Sequence, residues 1–315
     1  MILITGGSGY LGGRIARHLL NSKEKKILIG TRKVSSEVPA PLIDCKFIQM
    51  SLDQPKELDF ACNGVETIIH LAAMNAPDCQ ENPREAFVVN SQGTLNLLKA
   101  ASNTGVRNFI YFSTAHIYGS PLTGLIDEST EPDPVHPYSV THKRAEEHVL
   151  EFDSSGLLDG IVLRLSNVIG SPIDVNVNCW MLVANSFCKQ AVIDRRIRIS
   201  GNGKDMRDFI PISSVENLVE YLVSNPISQL NKKIMNVGSG VSMTILELSR
   251  LIEKRCKILF DYSPSIIIEE RKEKKDESKL KYLCKVYEKL NIKKTKKLVN
   301  EIDDILLFCN TVFIS

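Results

Sequence analysis

The chain has 315 residues, of which 43% are hydrophobic and 24% are charged, as is typical of an ordinary soluble globular protein with enough apolar material for a core. Its net charge of +2 argues against a dedicated nucleic-acid-binding protein, which would normally have a strongly basic face or domain. The eight cysteines show no close pair and no zinc-like spacing, so they indicate buried thiols in a reducing compartment rather than disulfides or a metal site.

The first predicted strand runs from Ile2 to Thr5 and leads directly into a glycine-rich turn, TGGSGYLG (5–12), at the start of an amphipathic helix. Gly6, Gly9 and Gly12 have the spacing G-x-x-G-x-x-G. In a strand–turn–helix, such glycines allow a tight turn, close approach of the backbone to a pyrophosphate, and packing of the helix on the strand. The N–H groups that open the helix then bind the phosphates. This segment therefore predicts a dinucleotide-binding site.

The chain begins with a strand rather than with a targeting segment. The first predicted strand begins at Ile2, which leaves no room for a signal peptide. No apolar run approaches the roughly 20 residues that span a bilayer. We therefore expect a cytoplasmic protein that does not bind a membrane.

The second predicted strand, Lys26 to Thr31, ends in a basic segment. An NAD-binding protein usually has an acidic residue there, which hydrogen-bonds the adenosine ribose hydroxyls, but this chain has Thr31, Arg32 and Lys33. A guanidinium group matches the geometry of a phosphate, so Arg32 favours NADP(H) over NAD(H). The alternative is an exposed strand end that is basic without a functional reason.

Five further apolar segments predict strands, and amphipathic helical segments alternate with them. This alternation is typical of a parallel sheet with crossover helices. Most of the segments are near-continuous apolar runs, as expected where both faces of a sheet are covered. The five predicted strands are 45–49, 67–71, 109–113, 160–165 and 233–237.

Two looser segments follow the sixth and the seventh predicted strands. Open α/β sheets bind ligands beyond the carboxyl ends of their strands, where we expect these segments to lie. The predicted fold is therefore α/β, a Rossmann-type doubly wound parallel sheet with a smaller C-terminal substrate-binding lobe. We predict an NAD(P)-binding domain of residues 1–165, completed by 212–238, and a lobe formed by 166–211 and 239–315.

Lysines cluster near the C-terminus. Such a cluster is typical of a solvated helix face, and the alternative is a patch that attracts an anionic partner. The lysines are Lys272, Lys274, Lys275, Lys279, Lys293, Lys294, Lys296 and Lys297.

Eight ordered segments give the chain a resemblance to a known family. They are TGGSGYLG (5–12), TIIHLAAMN (67–75), NSQGTLNLLKAA (90–101), FIYFSTAHIYG (109–119), PYSVTH (137–142), VLRLSNVIG (162–170), GNGKDMRDFIPISSV (201–215) and MNVGSG (235–240). From residue 1 to about residue 255 the sequence resembles the extended short-chain dehydrogenase/reductases, the group of nucleotide-sugar epimerases, dehydratases and reductases. The resemblance implies a nucleotide-diphosphate sugar as substrate and a homodimer formed by helices near 90–105 and 140–152.

By this resemblance, Thr114 and Tyr138 are the catalytic hydroxyls beside the nicotinamide. Thr114 orients the substrate oxygen and Tyr138 exchanges its proton, because hydride transfer at C–OH or C=O requires a matching proton transfer within hydrogen-bond reach. His116 occupies the place where relatives with extra acid–base steps carry a reactive side chain. It either exchanges a proton with the substrate or is packed beneath the substrate loop.

The resemblance also assigns binding residues. Asn167 and Arg207 match positions that hold the nucleotide diphosphate, and both side chains can donate to phosphate oxygens. Thr114 is the third residue assigned to substrate binding, with Asn167 and Arg207. The cofactor-binding positions are Gly6, Gly9, Tyr10, Leu11, Gly12, Arg32, Ser51, Leu52, Leu71, Ala72, Ala73, Asn90, Tyr138 and His142.

His142 departs from the family pattern. It lies four residues after Tyr138, where the family usually has a lysine that lowers the pKa of the tyrosine toward neutrality. Lys143 follows, but on a helix it points about 100° away. We therefore assign His142 to the catalytic and cofactor-binding sets, as a group that can hydrogen-bond the nicotinamide ribose and carries a charge only when protonated.

Two other departures concern the adenine and the chemistry. Where an aspartate commonly meets the adenine, before Leu52, this chain has Ser51. The residues after Thr114 are Ala115 and His116, where the family's dehydratases carry an Asp–Glu pair. This difference argues against a 4,6-dehydratase.

Three functions remain. An NADPH-dependent reductase would act on a keto nucleotide-sugar of the 4-keto-hexose type in the synthesis of surface-polysaccharide sugars. It is favoured because a tyrosine without the usual lysine suits an acid better than a base. The first alternative is a nucleotide-sugar 4-epimerase, and the second is a non-catalytic NADP(H)-binding protein.

Overall fold

The computed structural model describes residues 1–22, 26–32, 38–269, 279–292 and 297–314. Lys33 and all lysines of the C-terminal cluster except Lys279 and Lys297 lie outside the described residues. Within the described ranges, no helix is long and apolar enough to cross a membrane.

Strands and helices alternate through most of the described chain. In chain order the strands are β1 (Ile2–Thr5), β2 (Ile27–Thr31), β3 (Lys46–Gln49), β4 (Thr67–His70), β5 (Asn108–Thr114), β6 (Gly124–Ile126), β7 (Asp159–Leu165), β8 (Asn167–Ile169), β9 (Arg196–Ser200), β10 (Met206–Pro211), β11 (Ile234–Val237), β12 (Ser242–Thr244), β13 (Ser265–Glu269) and β14 (Leu280–Tyr282). The helices are α1 (Tyr10–Asn21), α2 (Pro55–Cys62), α3 (Ala76–Glu81), α4 (Pro83–Ala86), α5 (Gly93–Asn103), α6 (Pro137–Ser154), α7 (Val183–Ile193), α8 (Ile212–Ser224), α9 (Ile245–Phe260), α10 (Val286–Lys289) and α11 (Leu298–Phe313).

Seven strands form a parallel sheet in the order β11-β7-β5-β4-β1-β2-β3. These are the seven strands that the sequence predicts, and their ends agree with the prediction to within one residue. The strand order reverses between β1 and β4, which is the switch point of a doubly wound fold. The predicted Rossmann-type α/β class is therefore confirmed.

One face of the sheet is covered by α2, α5 and α6. Their buried side chains, including Leu58, Leu97 and Val149, pack in one core cluster with Leu3 and Phe109 of the sheet. Burying a leucine or valine side chain completely stabilises the fold by roughly 1.5–3 kcal/mol. This packing holds the sheet rigidly, so that the ends of its strands can position a site.

The chain divides into two compact units. The first contains residues 1–120, 128–165 and 218–236, and the second contains 121–127, 166–217 and 237–315. The second unit has small sheets, of which one has the order β12-β10-β8. It also has its own core, in which Phe187, Leu248 and Ile305 are buried. Each unit thus has a separate hydrophobic core.

Candidate active site

The glycine-rich turn joins β1 to α1. Gly6 has φ +69°, and a Cβ there would lie 3.0 Å from the amide nitrogen of Ala72. A Cβ on Gly12 would overlap the carbonyl oxygen of Gly6. Gly9 precedes the first helical residue, Tyr10, and no acidic side chain lies in the first turn. The positive end of α1 is therefore bare backbone, as a pyrophosphate requires.

Other predicted cofactor residues follow the neighbouring strands at the same edge of the parallel sheet. Arg32 comes directly after β2 and is exposed, Ser51 comes just after β3, and Leu71 comes directly after β4. Thr114 is the last residue of β5. Because parallel strands all end at one edge, side chains far apart in the chain meet there.

The third strand is followed by an acidic group that the sequence interpretation missed. The Ser51 hydroxyl donates to the Asp53 carboxylate at 2.6 Å. The amide of Asn96 donates to the carbonyl oxygen of Leu52 at 2.9 Å and so holds this segment in place. The carboxylate thus lies two residues later than the position at which the family pattern places an aspartate.

His70, at the end of β4, lies in a fully connected hydrogen-bond chain. Its Nε2 is 3.0 Å from the Thr94 hydroxyl, which itself donates to the carbonyl oxygen of Asn90 at 2.6 Å. Its Nδ1 is 2.6 Å from the Thr5 hydroxyl, and the oxygen of Thr5 accepts from the amides of Leu71 and Ala72 at 3.2 Å each. This chain ties the end of β1 to the backbone after β4. Burial lowers the pKa of His70 to about 3, and the neighbouring His142 contributes.

Asn90 is buried in a π-helix of residues 87–92, an irregularity that often marks functional sites. Its side-chain oxygen accepts from the amide of Met74 at 2.7 Å, and its amide donates to the Thr141 hydroxyl at 3.1 Å. Asn90 thus links the loop after β4 to helix α6, which carries Tyr138.

Thr114 ends β5 and Tyr138 lies in the first turn of α6, and the Thr114 side chain is close enough to lower the pKa of the phenol. Burial outweighs this effect and, with a smaller contribution from Cys79, raises the pKa of Tyr138 to about 12. The phenol is therefore protonated at neutral pH.

His142 lies one turn after Tyr138 and is only 3% exposed. Its ring meets that of Tyr138 edge-on, with the centroids 4.4 Å apart, and its Nδ1 is 2.7 Å from the hydroxyl of Tyr111. Burial lowers the pKa of His142 from 6.5 to about 4. Lys143 pairs with Glu147 at 2.8 Å on the same helix and does not replace the missing lysine.

His116 lies in a short 3-10 helix, Ala115–Tyr118, directly after β5. Its backbone N–H donates to the Thr114 hydroxyl oxygen at 3.2 Å, and its side chain is partly exposed. The backbone of His116 therefore helps to fix the orientation of Thr114.

In the second unit, the predicted phosphate-binding residues lie on paired strands. Asn167 begins β8, and its amide donates to the carbonyl oxygen of Asp208 at 3.1 Å. Arg207 lies on β10, where burial lowers its pKa and the nearby Asp205 partly offsets this effect. The Asp208 carboxylate accepts from Ser166, Ser239 and Gly240, so it holds the surrounding loops.

Three features of the first unit fit a dinucleotide. The glycine turn has no room for a Cβ at Gly12, and no side chain caps the start of α1. His142 Nε2 is buried without a hydrogen-bond partner among the described residues, as expected for a group that meets a ligand. Arg32 adds a cation at the end of β2.

Comparisons with known proteins agree with this geometry. Residues 2–238 match the sequence profile of the "NAD dependent epimerase/dehydratase family". A GDP-6-deoxy-D-talose 4-dehydrogenase from Aggregatibacter actinomycetemcomitans is 31% identical over 255 residues, which cover 80% of this chain and 78% of that protein. A UDP-glucose 4-epimerase from Rhizobium leguminosarum bv. trifolii is 27% identical over 274 residues, which cover 80% and 81%.

A solved structure shows the same fold. It is a UDP-glucose 4-epimerase from the hyperthermophilic eubacterium Thermotoga maritima, determined with UDP-glucose. It matches with a TM-score of 0.84 and 22% identity over 98% of both chains. At that identity the match establishes the arrangement of the elements, and the residues of the site must be argued from this chain itself.

Proposed function

Because the chain belongs to the NAD dependent epimerase/dehydratase family, we propose that it reduces the keto group of a nucleotide-linked 4-keto-hexose with NADPH. Because the members of this family are enzymes, the alternative of a non-catalytic NADP(H)-binding protein is not favoured. The single observation that carries the choice of reduction is the protonated Tyr138, whose pKa burial raises to about 12. Such a phenol suits a proton donor, whereas oxidation of an alcohol needs a base.

The proposed roles of the residues follow from their contacts. Bound NADPH supplies a hydride for the carbonyl carbon. Tyr138 donates its proton to the carbonyl oxygen, which becomes the new hydroxyl, and then regains a proton from solvent. Thr114, at the end of β5, orients the substrate oxygen for that transfer. His116 remains a candidate for a further proton exchange with the substrate.

The first unit supplies the groups proposed to hold the cofactor. We keep the assignment of residues 1–165, completed by 212–238, to this role. The backbone N–H groups in the first turn of α1, after Gly9, would bind the pyrophosphate, and Arg32 would bind the 2′-phosphate of NADP(H). The other predicted contacts, including Ser51, Leu52 and Asn90, remain part of this proposal.

Arg32→Asp tests the preference for NADP(H). The aspartate would repel the 2′-phosphate and accept hydrogen bonds from a free ribose hydroxyl, so the order of affinities should reverse. Titration of the unaltered protein with both cofactors provides the reference. Equal or tighter binding of NAD(H) by the unaltered protein would refute the preference.

The second unit supplies the groups proposed for the nucleotide diphosphate of the substrate. We assign this role to Asn167 and Arg207 within a substrate-binding lobe of residues 166–211 and 239–315. Arg207 can pair with phosphate oxygens, and Asn167 has a second amide hydrogen beyond the one donated to Asp208. Arg207→Ala should weaken binding of the nucleotide alone, without any sugar.

A 4-epimerase is the second candidate, because one of the curated relatives is a UDP-glucose 4-epimerase. A panel of 4-keto and 4-hydroxy nucleotide sugars would separate the two functions. A reductase consumes one NADPH for each keto sugar reduced, whereas an epimerase interconverts sugars without net change in cofactor. Epimerisation without NADPH consumption would overturn the proposed reduction, and Tyr138→Phe serves as the inactive control.

We also propose a homodimer through α5 and α6 in the cytoplasm. The homodimer rests on the family resemblance, and the location rests on the eight cysteines, none of which forms a disulfide. Light scattering of the purified protein tests the dimer.

A further inference from the structure

One ring nitrogen of His142 has a hydrogen-bond partner among the described residues, and the other has none. Nδ1 is 2.7 Å from the Tyr111 hydroxyl. Nε2 is buried and has no hydrogen-bond partner among the described residues. A buried polar atom without a partner destabilises a protein by about 1–3 kcal/mol, so it is retained where it has a use.

The protons of this pair can be assigned by elimination. The Tyr111 hydroxyl is buried, which raises its pKa well above the ordinary value, so it keeps its proton. Within the described part of the chain, His142 is its one hydrogen-bond partner, and therefore the proton must point at Nδ1. Nδ1 then acts as the acceptor, and the proton of the neutral imidazole lies on Nε2.

His70 shows that the unsatisfied nitrogen is a particular property of His142. His70 is equally buried, but both its nitrogens have hydroxyl partners, on Thr5 and Thr94. Both imidazoles lie beside Tyr111, with ring centroids 5.7 Å and 5.9 Å from it. The same neighbourhood thus completes the hydrogen bonds of one histidine and leaves a donor on the other.

We propose that Tyr111 is a positioning residue that holds His142 in its Nε2–H tautomer, so that the ring presents an uncharged N–H donor to a ribose hydroxyl oxygen of the bound cofactor. The contact with the cofactor rests on the proposed function, whereas the tautomer is a property of the protein alone. A lysine would bring a positive charge to this place, and the Tyr111–His142 pair brings a directed hydrogen bond without charge.

The tautomer can be measured directly. Long-range ¹H–¹⁵N spectra of the cofactor-free protein with ¹⁵N-labelled histidine, at pH 7, distinguish a protonated from a bare ring nitrogen, and His142→Gln identifies the signal. We expect His142 to show a bare Nδ1 and a protonated Nε2. In Tyr111→Phe this preference should weaken or reverse. A proton on Nδ1 in the unaltered protein would overturn the positioning role, whatever the enzyme does.

Binding of NADP⁺, followed by calorimetry, tests the contact with the cofactor. Tyr111→Phe should weaken binding about 3- to 10-fold, the loss expected for one misdirected hydrogen bond. Tyr287→Phe is a matched control, because it also removes a buried tyrosine hydroxyl, one that donates to the carbonyl oxygen of Ser214. It should leave the affinity unchanged.

A double variant separates positioning from general damage. The amide of His142→Gln can present an N–H near the place of Nε2 without needing Tyr111. In that background Tyr111→Phe should have no further effect on NADP⁺ affinity, and an equal loss in both backgrounds would refute action through His142.

Titration with NADP⁺ also decides whether the N–H donates to the cofactor. The ring of Tyr138, with its centroid 4.4 Å from that of His142, is the competing neighbour. If Nε2–H donates to the cofactor, its resonance shifts on binding. An unchanged resonance with bound NADP⁺ would refute the contact, and an absence of any NADP⁺ binding would refute the cofactor site while leaving the tautomer result intact.

Discussion

Two buried histidines lie beside Tyr111 and have opposite hydrogen-bond environments. His70 joins the hydroxyls of Thr5 and Thr94 in a closed chain that ends on backbone groups. His142 accepts from Tyr111 and keeps one N–H without an acceptor among the described residues. The hydrogen bonds of His70 are therefore complete within the protein. His142 keeps a donor that can bind a ligand.

The difference between the two histidines shows that separate parts of the first unit serve stability and ligand binding. A closed network of buried polar groups stabilises a unique backbone arrangement, here at the turn where β1 and β4 end. A network that leaves one buried donor without an acceptor reduces stability, but that donor can bind a ligand. Substitutions in the first region should therefore affect unfolding, and substitutions in the second should affect catalysis and binding.

The largest expected effect lies beside His142. Tyr138→Phe should lower turnover by about 10²- to 10⁴-fold, the contribution typical of a positioned proton donor. The affinity for NADP(H) should hardly change, because the hydroxyl acts on the substrate. Thr114→Ala should cost less, roughly 1–3 kcal/mol of transition-state stabilisation. Steady-state rates and cofactor titration measure both effects, and full turnover by Tyr138→Phe would show that the chemistry is assigned to the wrong residue.

Acid should destabilise the protein through both histidines. Their pKa values fall from 6.5 to about 3 for His70 and about 4 for His142 on folding, so the unfolded chain binds more protons below pH 6.5. Stability is therefore fully present above pH 6.5 and is lost as the pH falls toward the folded values. Between pH 7 and pH 5 each histidine should remove about 2 kcal/mol from the free energy of unfolding.

Urea unfolding at a series of pH values measures this loss. His70→Gln and His142→Gln should each remove that histidine's own contribution of about 2 kcal/mol between pH 7 and pH 5, whatever the stability of the variant at pH 7. An unchanged slope in either variant would show that folding does not lower the pKa of the corresponding imidazole.

A matched pair of apolar substitutions tests the contrast in stability. His70→Leu leaves the buried Thr5 and Thr94 hydroxyls without their partner and should lower the free energy of unfolding by about 2–3 kcal/mol. His142→Leu also leaves the Tyr111 hydroxyl without an acceptor, but it removes an unsatisfied N–H, so its net effect should be within about 1 kcal/mol. Denaturant titration without cofactor compares the two. Equal losses in the free energy of unfolding would show that His70 and His142 contribute equally to stability.

The smallest expected effect concerns the pH dependence of the reverse reaction. Because the pKa of Tyr138 is raised to about 12, oxidation of the sugar alcohol should be slow near pH 7 and rise with pH well above 8, while reduction proceeds at neutral pH. A cation at position 142 stabilises the phenolate, so His142→Lys should move the alkaline limb to lower pH by about 1 unit. Oxidation that is independent of pH from 6 to 9 in the unaltered protein would contradict this expectation.

The central sheet was predictable because most of its strands are short apolar runs whose residues are buried. The strands β1, β2, β4 and β11 each appear in the sequence as such runs between turn residues. In the second unit, β8, β9 and β10 alternate with loops or carry charged side chains such as Arg196 and Arg198, so no comparable signal marks them. Their partners are set by pairings such as that of β9 with β13, whose residues are distant in the chain.

The same division applies to the site. Gly6, Gly12 and Tyr138 are recognisable because their roles depend on local backbone geometry and on motifs around them. Asp53 was missed, because its contact with Ser51 does not follow the family spacing. The importance of Tyr111 was missed as well, since a tyrosine within a buried strand looks like ordinary core packing.

The sequence by itself determined the parallel sheet, the glycine turn and the family, because these depend on short-range patterns of apolar residues and glycines. It also showed that a histidine replaces the usual lysine. Only the tertiary structure decided the charge and the hydrogen bonds of that histidine, because its partner Tyr111 lies 31 residues earlier on a different element. Burial keeps the imidazole neutral, and the hydroxyl of that strand residue determines which nitrogen carries the proton.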